Sequence, residues 1–85
     1  MTLSYAVLIR RAGRNFSVGC PDVPGCVATG RTVDEANRGM RSALAFHIEG
    51  LRSAGERVPR SKTSLATLVR REGGEQVYTV LRVAA

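Results

Sequence analysis

Closely spaced apolar and β-branched residues near the start of the chain predict a β-hairpin. They dominate the stretch from Ser4 to Arg11, and a second short run, Phe16 to Cys20, follows a turn at residues 12–15 that contains Gly and Asn. Two prolines and a glycine within residues 21–25 exclude a helix or a sheet ladder, because proline lacks a backbone donor. Residues Cys26 to Gly30 can form a third strand, so this half of the chain predicts an antiparallel three-stranded meander.

The next segment has the pattern of a long amphipathic helix. Thr32 and Glu35 have the spacing of a capping box, in which the hydroxyl accepts from the Glu35 amide and the carboxylate reaches back. Gly55 suits the left-handed residue at a helix end, and Pro59 prevents continuation. At about 100° per residue, one face collects the residues that we expect to pack on the sheet. These are Val33, Ala36, Met40, Ala43, Leu44, His47, Ile48, Leu51 and Ala54.

Residues 64–71 fit either a short helix or a strand, and local propensity does not decide between them. A helix is favoured because Leu65, Leu68 and Val69 share one face at spacings of three and four. Gly73 is the expected stop of that helix.

The last pattern, Gln76 to Val83, is a strand that is apolar on both sides, which suits a well-covered position in a sheet. The whole chain therefore predicts an α+β fold in the order β-β-β-α-α-β, with the long helix packed on the sheet. With 85 residues the chain makes one domain whose core is small, so self-association is expected to support it.

Charge and hydropathy argue against a nucleic-acid-binding protein, a membrane protein and a secreted protein. The net charge of +6 suggests a polyanion partner, but the cations are scattered with no run longer than two, so nucleic-acid binding is not favoured. Apolar runs such as Ala6 to Ile9 are far below the roughly 18 residues that cross a bilayer. The N-terminus lacks the basic and apolar regions of a secretory signal. We therefore expect a cytoplasmic protein without membrane contact.

Reactive side chains do not gather in the sequence. Cys20, Cys26 and His47 lack the paired spacing of a structural zinc site, and the thiols are interpreted as small apolar residues near the sheet. A two-metal nuclease needs several converging carboxylates, whereas the first strand contains no acid and Asp22 is the only acid before Asp34. The sequence predicts no catalytic residue, no metal and no cofactor, and hence a protein that is not an enzyme.

Two motifs at a fixed distance carry a family resemblance. The loop Pro-Asp-Val-Pro-Gly-Cys at residues 21–26 precedes the helix start Gly-Arg-Thr-Val-Asp-Glu-Ala at residues 30–36. Together with the segments around His47 and Pro59, they resemble the HicB family of antitoxins over the whole chain. The resemblance implies a partial ribonuclease-H-like fold. It also implies that residues 1–85 form a single HicB-like domain, with no C-terminal DNA-binding domain after the last strand.

The resemblance implies an antitoxin function as well. A protein of this family binds a small HicA-type toxin, which cleaves mRNA, and neutralises it by covering the active site. The family's loop residues are expected to be structural or to face the partner. These are Pro21, Asp22, Pro24, Gly25 and Cys26.

A toxin that binds RNA presents a positive surface, and the net charge of +6 on this chain would repel it. A local acidic patch is therefore expected to provide the complementary charge at the contact. Asp22, Asp34 and Glu35 are the candidate toxin contacts. Asp22 also has a structural interpretation, in which it accepts from backbone amides two residues further on and fixes the turn. Thr32 and Glu35 are interpreted as helix caps.

Two further partners follow from the residues. The small core and exposed sheet edges predict a homodimer or a larger homo-oligomer. The alternative function is that of a stand-alone HicB-like basic protein that contacts nucleic acid directly through its arginines.

Overall fold

The chain folds in the order β-β-β-α-α-β, as the sequence predicts, and a computed structural model describes residues 2–72 and 77–84. The four strands form one antiparallel sheet in the order β3-β2-β1-β4, which confirms the α+β class. The elements are β1 (Thr2–Ala12), β2 (Asn15–Gly19), β3 (Val27–Gly30), α1 (Val33–Ser53), α2 (Leu65–Glu72) and β4 (Val77–Ala84).

The hairpin of β1 and β2 forms around a two-residue turn. Ala12 pairs with Asn15, and Gly13 between them has a φ of +62°, which glycine adopts without steric cost. β1 begins earlier than the sequence pattern indicates, because its first eight residues, Thr2 to Ile9, pair with β4. The longest strand therefore lies in the interior of the sheet and has a neighbour on each side.

α1 covers one face of the sheet, called the first face below. Thr32 is the N-cap and its Oγ1 accepts from the Glu35 amide at 3.0 Å, although no return bond from the Glu35 carboxylate forms within the described residues. The helix ends where expected, with Gly55 at a φ of +72°. Ala54 is exposed, because it caps the helix rather than extending the packing face. The core on the first face contains Tyr5, Val7, Ile9, Ala36, Met40, Leu44 and Ile48.

Residues 64–71 resolve into a helix, which packs on the opposite side of the sheet, called the second face. Ser64 caps α2 through its Oγ, which accepts from the Thr67 amide at 3.1 Å. Leu68 is fully buried against Ala6 and Leu8, because alternate residues of β1 point to opposite faces. The predicted stop at Gly73 lies outside the described residues.

β4 occupies the edge of the sheet, so the expectation of a well-covered position is wrong for its backbone. The strand pairs with β1, and no further strand lies beside it within residues 2–72 and 77–84. Leu81 and Val83 are buried on the first face and Tyr78 packs near α2 on the second, whereas Val77 and Val80 are each 45% exposed. The predicted start at Gln76 lies outside the described residues.

In the part of the chain that the structure describes, no helix combines the length and the apolar character that a membrane span requires.

Candidate functional site

The loop from Cys20 to Cys26, called the motif loop below, consists of two consecutive turns between β2 and β3. The Val23 amide donates to the Cys20 carbonyl at 3.2 Å, and the Cys26 amide donates to the Val23 carbonyl at 3.3 Å. Gly25 has a φ of +85°, which favours glycine at this position. Because Val23 is fully buried, the loop is anchored in the core. The two prolines, Pro21 and Pro24, are exposed.

Asp22 ties the motif loop to the segment between α1 and α2. Its Oδ2 accepts from the backbone amides of Lys62 at 2.7 Å and Thr63 at 2.8 Å. Its Oδ1 accepts from the Thr63 hydroxyl at 2.8 Å. The sequence interpretation, which gave Asp22 partners two residues further on, is wrong about the partners, since these lie about forty positions later in the chain. Asp22 therefore fixes a long-range junction rather than its own turn.

The same bonds control the protonation of this carboxyl group. Burial alone would raise the pKa of Asp22, but the bonds from the amide and hydroxyl of Thr63 and from the Lys62 amide outweigh it. The pKa of Asp22 therefore lies below its usual value, and the group is ionised at neutral pH.

A second bond holds the same segment. The Tyr5 hydroxyl donates to the Pro59 carbonyl at 2.7 Å, and the Tyr5 side chain is fully buried. Burial raises the pKa of Tyr5, and the nearby Cys20 and Asp22 raise it further. The hydroxyl therefore stays protonated and keeps its donor. Residues 59–63 are thus fastened to the sheet and to the motif loop.

Replacing Tyr5 by phenylalanine tests this fastening. We expect Tyr5→Phe to lower the free energy of unfolding by about 1 kcal/mol, because the Pro59 carbonyl loses its donor while the ring still fills the core. Urea denaturation with an unchanged m-value is the measurement. An unchanged midpoint would contradict the assignment, because it would mean that the bond contributes nothing.

The two thiols are structural. Cys20 and Cys26 are 7% and 6% exposed and neither forms a disulfide. Burial raises the pKa of both thiols, so they are protonated at neutral pH and are poor nucleophiles. Within the described residues, no three His, Cys, Asp or Glu side chains lie close enough to hold a metal ion. The burial of both thiols confirms the interpretation that they pack as small apolar residues near the sheet.

An open groove of about 430 Å³ lies on the second face, between the motif loop and α2. Leu8 and Gly19, which pair across β1 and β2, form part of its floor. At one end Arg10 forms an ion pair with Glu72, whose other oxygen lies 3.8 Å from Arg71 Nε. The groove therefore contains two cations, Arg10 and Arg71, and one acid, Glu72. This excess of positive charge favours an anion over a basic protein as a partner.

The three candidate acids lie on two different elements, the motif loop and the first turn of α1. Asp34 and Glu35 are exposed on the first turn of α1, just after β3, whereas Asp22 precedes β3 in the motif loop. Only the acids of α1 are free of the contacts that occupy Asp22.

One surface residue was missed by the sequence analysis. Phe46, in the middle of α1, is 83% exposed and is the most exposed large apolar side chain described. The available signal was its absence from the packing face, since a step of about 100° per residue places it well away from Met40, Leu44 and Ile48.

Comparisons with known proteins identify relatives that match most of the chain. The model of a family described as HicB-like antitoxin of bacterial toxin-antitoxin systems matches residues 5–84. A 14.9 kDa protein from the rep-hol intergenic region of Haemophilus phage HP1 is 33% identical over 79 residues, which cover 93% of this chain and 59% of that protein. UPF0150 protein Ta0767 of Thermoplasma acidophilum is 30% identical over 67 residues, covering 78% of this chain and 97% of the relative. The chain therefore spans little more than half of the phage protein it matches.

Solved structures share the fold. The N-terminal domain of the Burkholderia pseudomallei antitoxin HicB superposes with a TM-score of 0.84 at 26% identity, covering 98% of this chain and all of that domain. A chain of a HicA3 and HicB3 toxin-antitoxin complex superposes with a TM-score of 0.74 at 22% identity, covering 98% of this chain and all of its own length. The latter likeness supports the fold alone.

Proposed function

Because this chain belongs to the HicB-like antitoxin family, we propose that it binds a small HicA-type toxin, an mRNA-cleaving protein, and neutralises it by covering the active site. The observation that carries this proposal is the match of the family model to residues 5–84, which takes in all of β2, β3 and both helices. We also infer that the order of the elements corresponds to the partial ribonuclease-H-like fold that the family resemblance implies.

Steric blocking requires a stiff surface rather than reactive groups. The bonds that Asp22 and Tyr5 make to residues 59–63 brace the connection between the helices. The thiols are buried and protonated, and no acid lies on β1. These features support a non-enzymatic role. A partner that cleaves mRNA acts in the cytoplasm, where we place this protein.

Co-expression tests the proposal. Inspection of the adjacent reading frame for a chain of about 60 to 80 residues, a size sufficient for one small domain, comes first. Inducing that frame alone is expected to stop growth, and inducing it together with this chain is expected to restore growth and to yield a complex that co-purifies. Failure of both rescue and co-purification would overturn the proposal.

We propose that the free protein is a homodimer joined at the β4 edge. β4 is eight residues long, contains neither proline nor glycine, and carries a single charge at Arg82. Such an edge presents unpaired backbone groups to a second strand. Light scattering of the full chain at tens of micromolar is expected to give twice the monomer mass, and a monomer mass would contradict the proposal.

The excess positive charge favours one alternative function, direct contact with nucleic acid. The net charge is +6, and the second-face groove includes Arg10 and Arg71. Binding to RNA or DNA driven by phosphate contacts weakens steeply as salt rises. A salt-sensitive mobility shift at sub-micromolar protein, in the absence of any toxin complex, would favour this alternative over the antitoxin role.

A further inference from the structure

The two cysteines face each other at the loop end of the ladder formed by β2 and β3. The last pair of that ladder is Gly19 and Val27; Cys20 directly follows the first of them and Cys26 directly precedes the second. One further step of the antiparallel register therefore places Cys20 opposite Cys26. The Cα atoms of directly opposite residues lie about 4.5 or 5.5 Å apart, depending on whether the pair exchanges backbone hydrogen bonds.

The two side chains lie on the same side of the sheet. Opposite residues of an antiparallel ladder share a face, and both cysteines belong to the core on the first face. The charge of Cys26 also contributes to the raised pKa of Cys20, as expected for two thiols that are near neighbours. Register, burial and electrostatics therefore agree that the thiols are adjacent.

The motif loop keeps its two ends together. Its consecutive turns share Val23, which donates to Cys20 and accepts from Cys26, so the ends cannot separate without breaking a turn. A cysteine that only fills space can occupy any small core position, whereas a disulfide needs two cysteines at matched positions. The chain contains two cysteines, and both lie at this one step of the ladder.

We propose that Cys20 and Cys26 form a reversible disulfide across the neck of the motif loop when the chain reacts with a low-molecular-weight disulfide. The Cα atoms of a disulfide lie about 4.4–6.8 Å apart, so the register of the two strands already suits the bond. Reducing conditions keep the pair as the two free thiols that the structure shows. The bond therefore forms when the surroundings become more oxidising.

The bond forms by two successive exchanges. The Cys20 thiolate attacks one sulfur of the small disulfide and expels the other as a thiolate, which leaves a mixed disulfide on Cys20. The Cys26 thiolate then attacks the Cys20 sulfur and expels the second small thiolate. The protein thiols lose two electrons and two protons, and the small disulfide gains them and becomes two thiols.

The surroundings of the pair assign the order of these exchanges and slow them. Hydrogen bonds from the Asp22 and Val23 amides favour the Cys20 thiolate, which makes Cys20 the first to attack, although burial keeps its pKa raised. Local opening of the motif loop, whose prolines Pro21 and Pro24 are exposed, admits the reagent. The exchange is therefore slow, but its equilibrium depends on how well the fold holds the two sulfur atoms together.

The disulfide closes the loop that carries Asp22, the residue that joins the loop to Lys62 and Thr63. A crosslink between residues that are neighbours in the folded state mainly restricts the unfolded chain. Oxidation is therefore expected to raise the urea midpoint of the chain, and reduction with dithiothreitol is expected to restore the original midpoint.

Equilibration of the full chain in mixtures of reduced and oxidised glutathione tests the proposal. The mixture that oxidises half of the chain gives the effective concentration of one thiol for the other. We expect this value to be higher in the folded chain than in concentrated urea by about tenfold or more. Intact mass should show the loss of two hydrogen atoms, peptide mapping should join Cys20 to Cys26, and the oxidised chain should remain free of disulfides between chains on a non-reducing denaturing gel.

Cys20→Ala and Cys26→Ala are the matched controls, because each keeps one thiol and can form only a mixed disulfide. Neither variant should gain a higher urea midpoint in oxidised glutathione. Equal effective concentrations in the folded and unfolded chain, a lower midpoint for the oxidised chain, or a disulfide found only between two chains would overturn the proposal. The experiment uses this chain alone, so its result does not depend on the antitoxin role.

Discussion

Gly30→Ala is expected to lower the free energy of unfolding by about 3 kcal/mol, because β3 ends directly beneath the first turn of α1. A Cβ built on Gly30 would lie 2.5 Å from the Ala36 amide nitrogen and 2.9 Å from the Ala36 Cα. These are backbone atoms of a capped helix, so they cannot turn away as a flexible side chain does. Overpacking a core costs about 1–3 kcal/mol, and the upper end applies where a helix must move.

Urea denaturation measures this loss, and a matched glycine provides the control. Gly50→Ala makes the same chemical change where nothing lies within 4 Å, and it is expected to stabilise the protein by about 0.5–1 kcal/mol. The two variants should therefore shift the urea midpoint in opposite directions. Equal shifts, or a stable Gly30→Ala protein, would show that β3 and α1 are not packed as closely as described.

The elements that local chemistry determines could be predicted from the sequence. Thr32 starts α1 and Gly55 ends it, because a hydroxyl N-cap and a left-handed glycine act within one turn of the chain. The hairpin followed in the same way from the turn around Gly13. The resemblance in residues 21–36 then indicated a family, and the model match to residues 5–84 confirms it.

The features that local chemistry could not predict are long-range. Apolar residues on both sides of β4 favour a covered strand, but they are equally compatible with an edge strand that buries Leu81 and Val83 on one face and leaves Val77 and Val80 half-exposed. The choice of the second face by α2 depends on Leu68 reaching Ala6 and Leu8, which are distant in the sequence. No spacing rule connects such residues.

The candidate site shows the same division. The sequence singled out the motif loop, but the residues that donate hydrogen bonds to Asp22 lie about forty positions later in the chain. No local sequence pattern predicts such distant partners. Phe46 was visible as an aromatic residue outside the packing face, but its exposure depends on the shape of the folded surface. Acids that seemed equivalent in the sequence therefore divide into one that braces the fold and others that are available to a partner.

Asp22→Ala is expected to cost about 3 kcal/mol of unfolding free energy, the second large effect that the structure predicts. The substitution leaves the Lys62 and Thr63 amides and the Thr63 hydroxyl without their acceptor. Hydrogen bonds to a charged group are worth about 1.5–3 kcal/mol each, and partial solvent exposure of this carboxylate reduces their sum. Thr63→Val, which removes only the hydroxyl donor, is expected to cost about 1 kcal/mol.

The pH dependence separates the charge of Asp22 from its shape. Since the pKa of Asp22 is lower in the folded chain, its stabilising effect is fully present above the unfolded pKa of about 3.9. The effect is lost as the pH falls through the lower, folded value. Asp22→Asn keeps the shape of the side chain but cannot ionise, so the variant should have a lower free energy of unfolding than the unaltered chain. This difference in unfolding free energy should be constant near neutral pH and should shrink below about pH 4. Glu56→Gln, which removes a carboxylate at an exposed position, is the control for the change of net charge. A deficit for Asp22→Asn that persists undiminished at pH 2 would mean that the junction depends on packing rather than on the carboxylate.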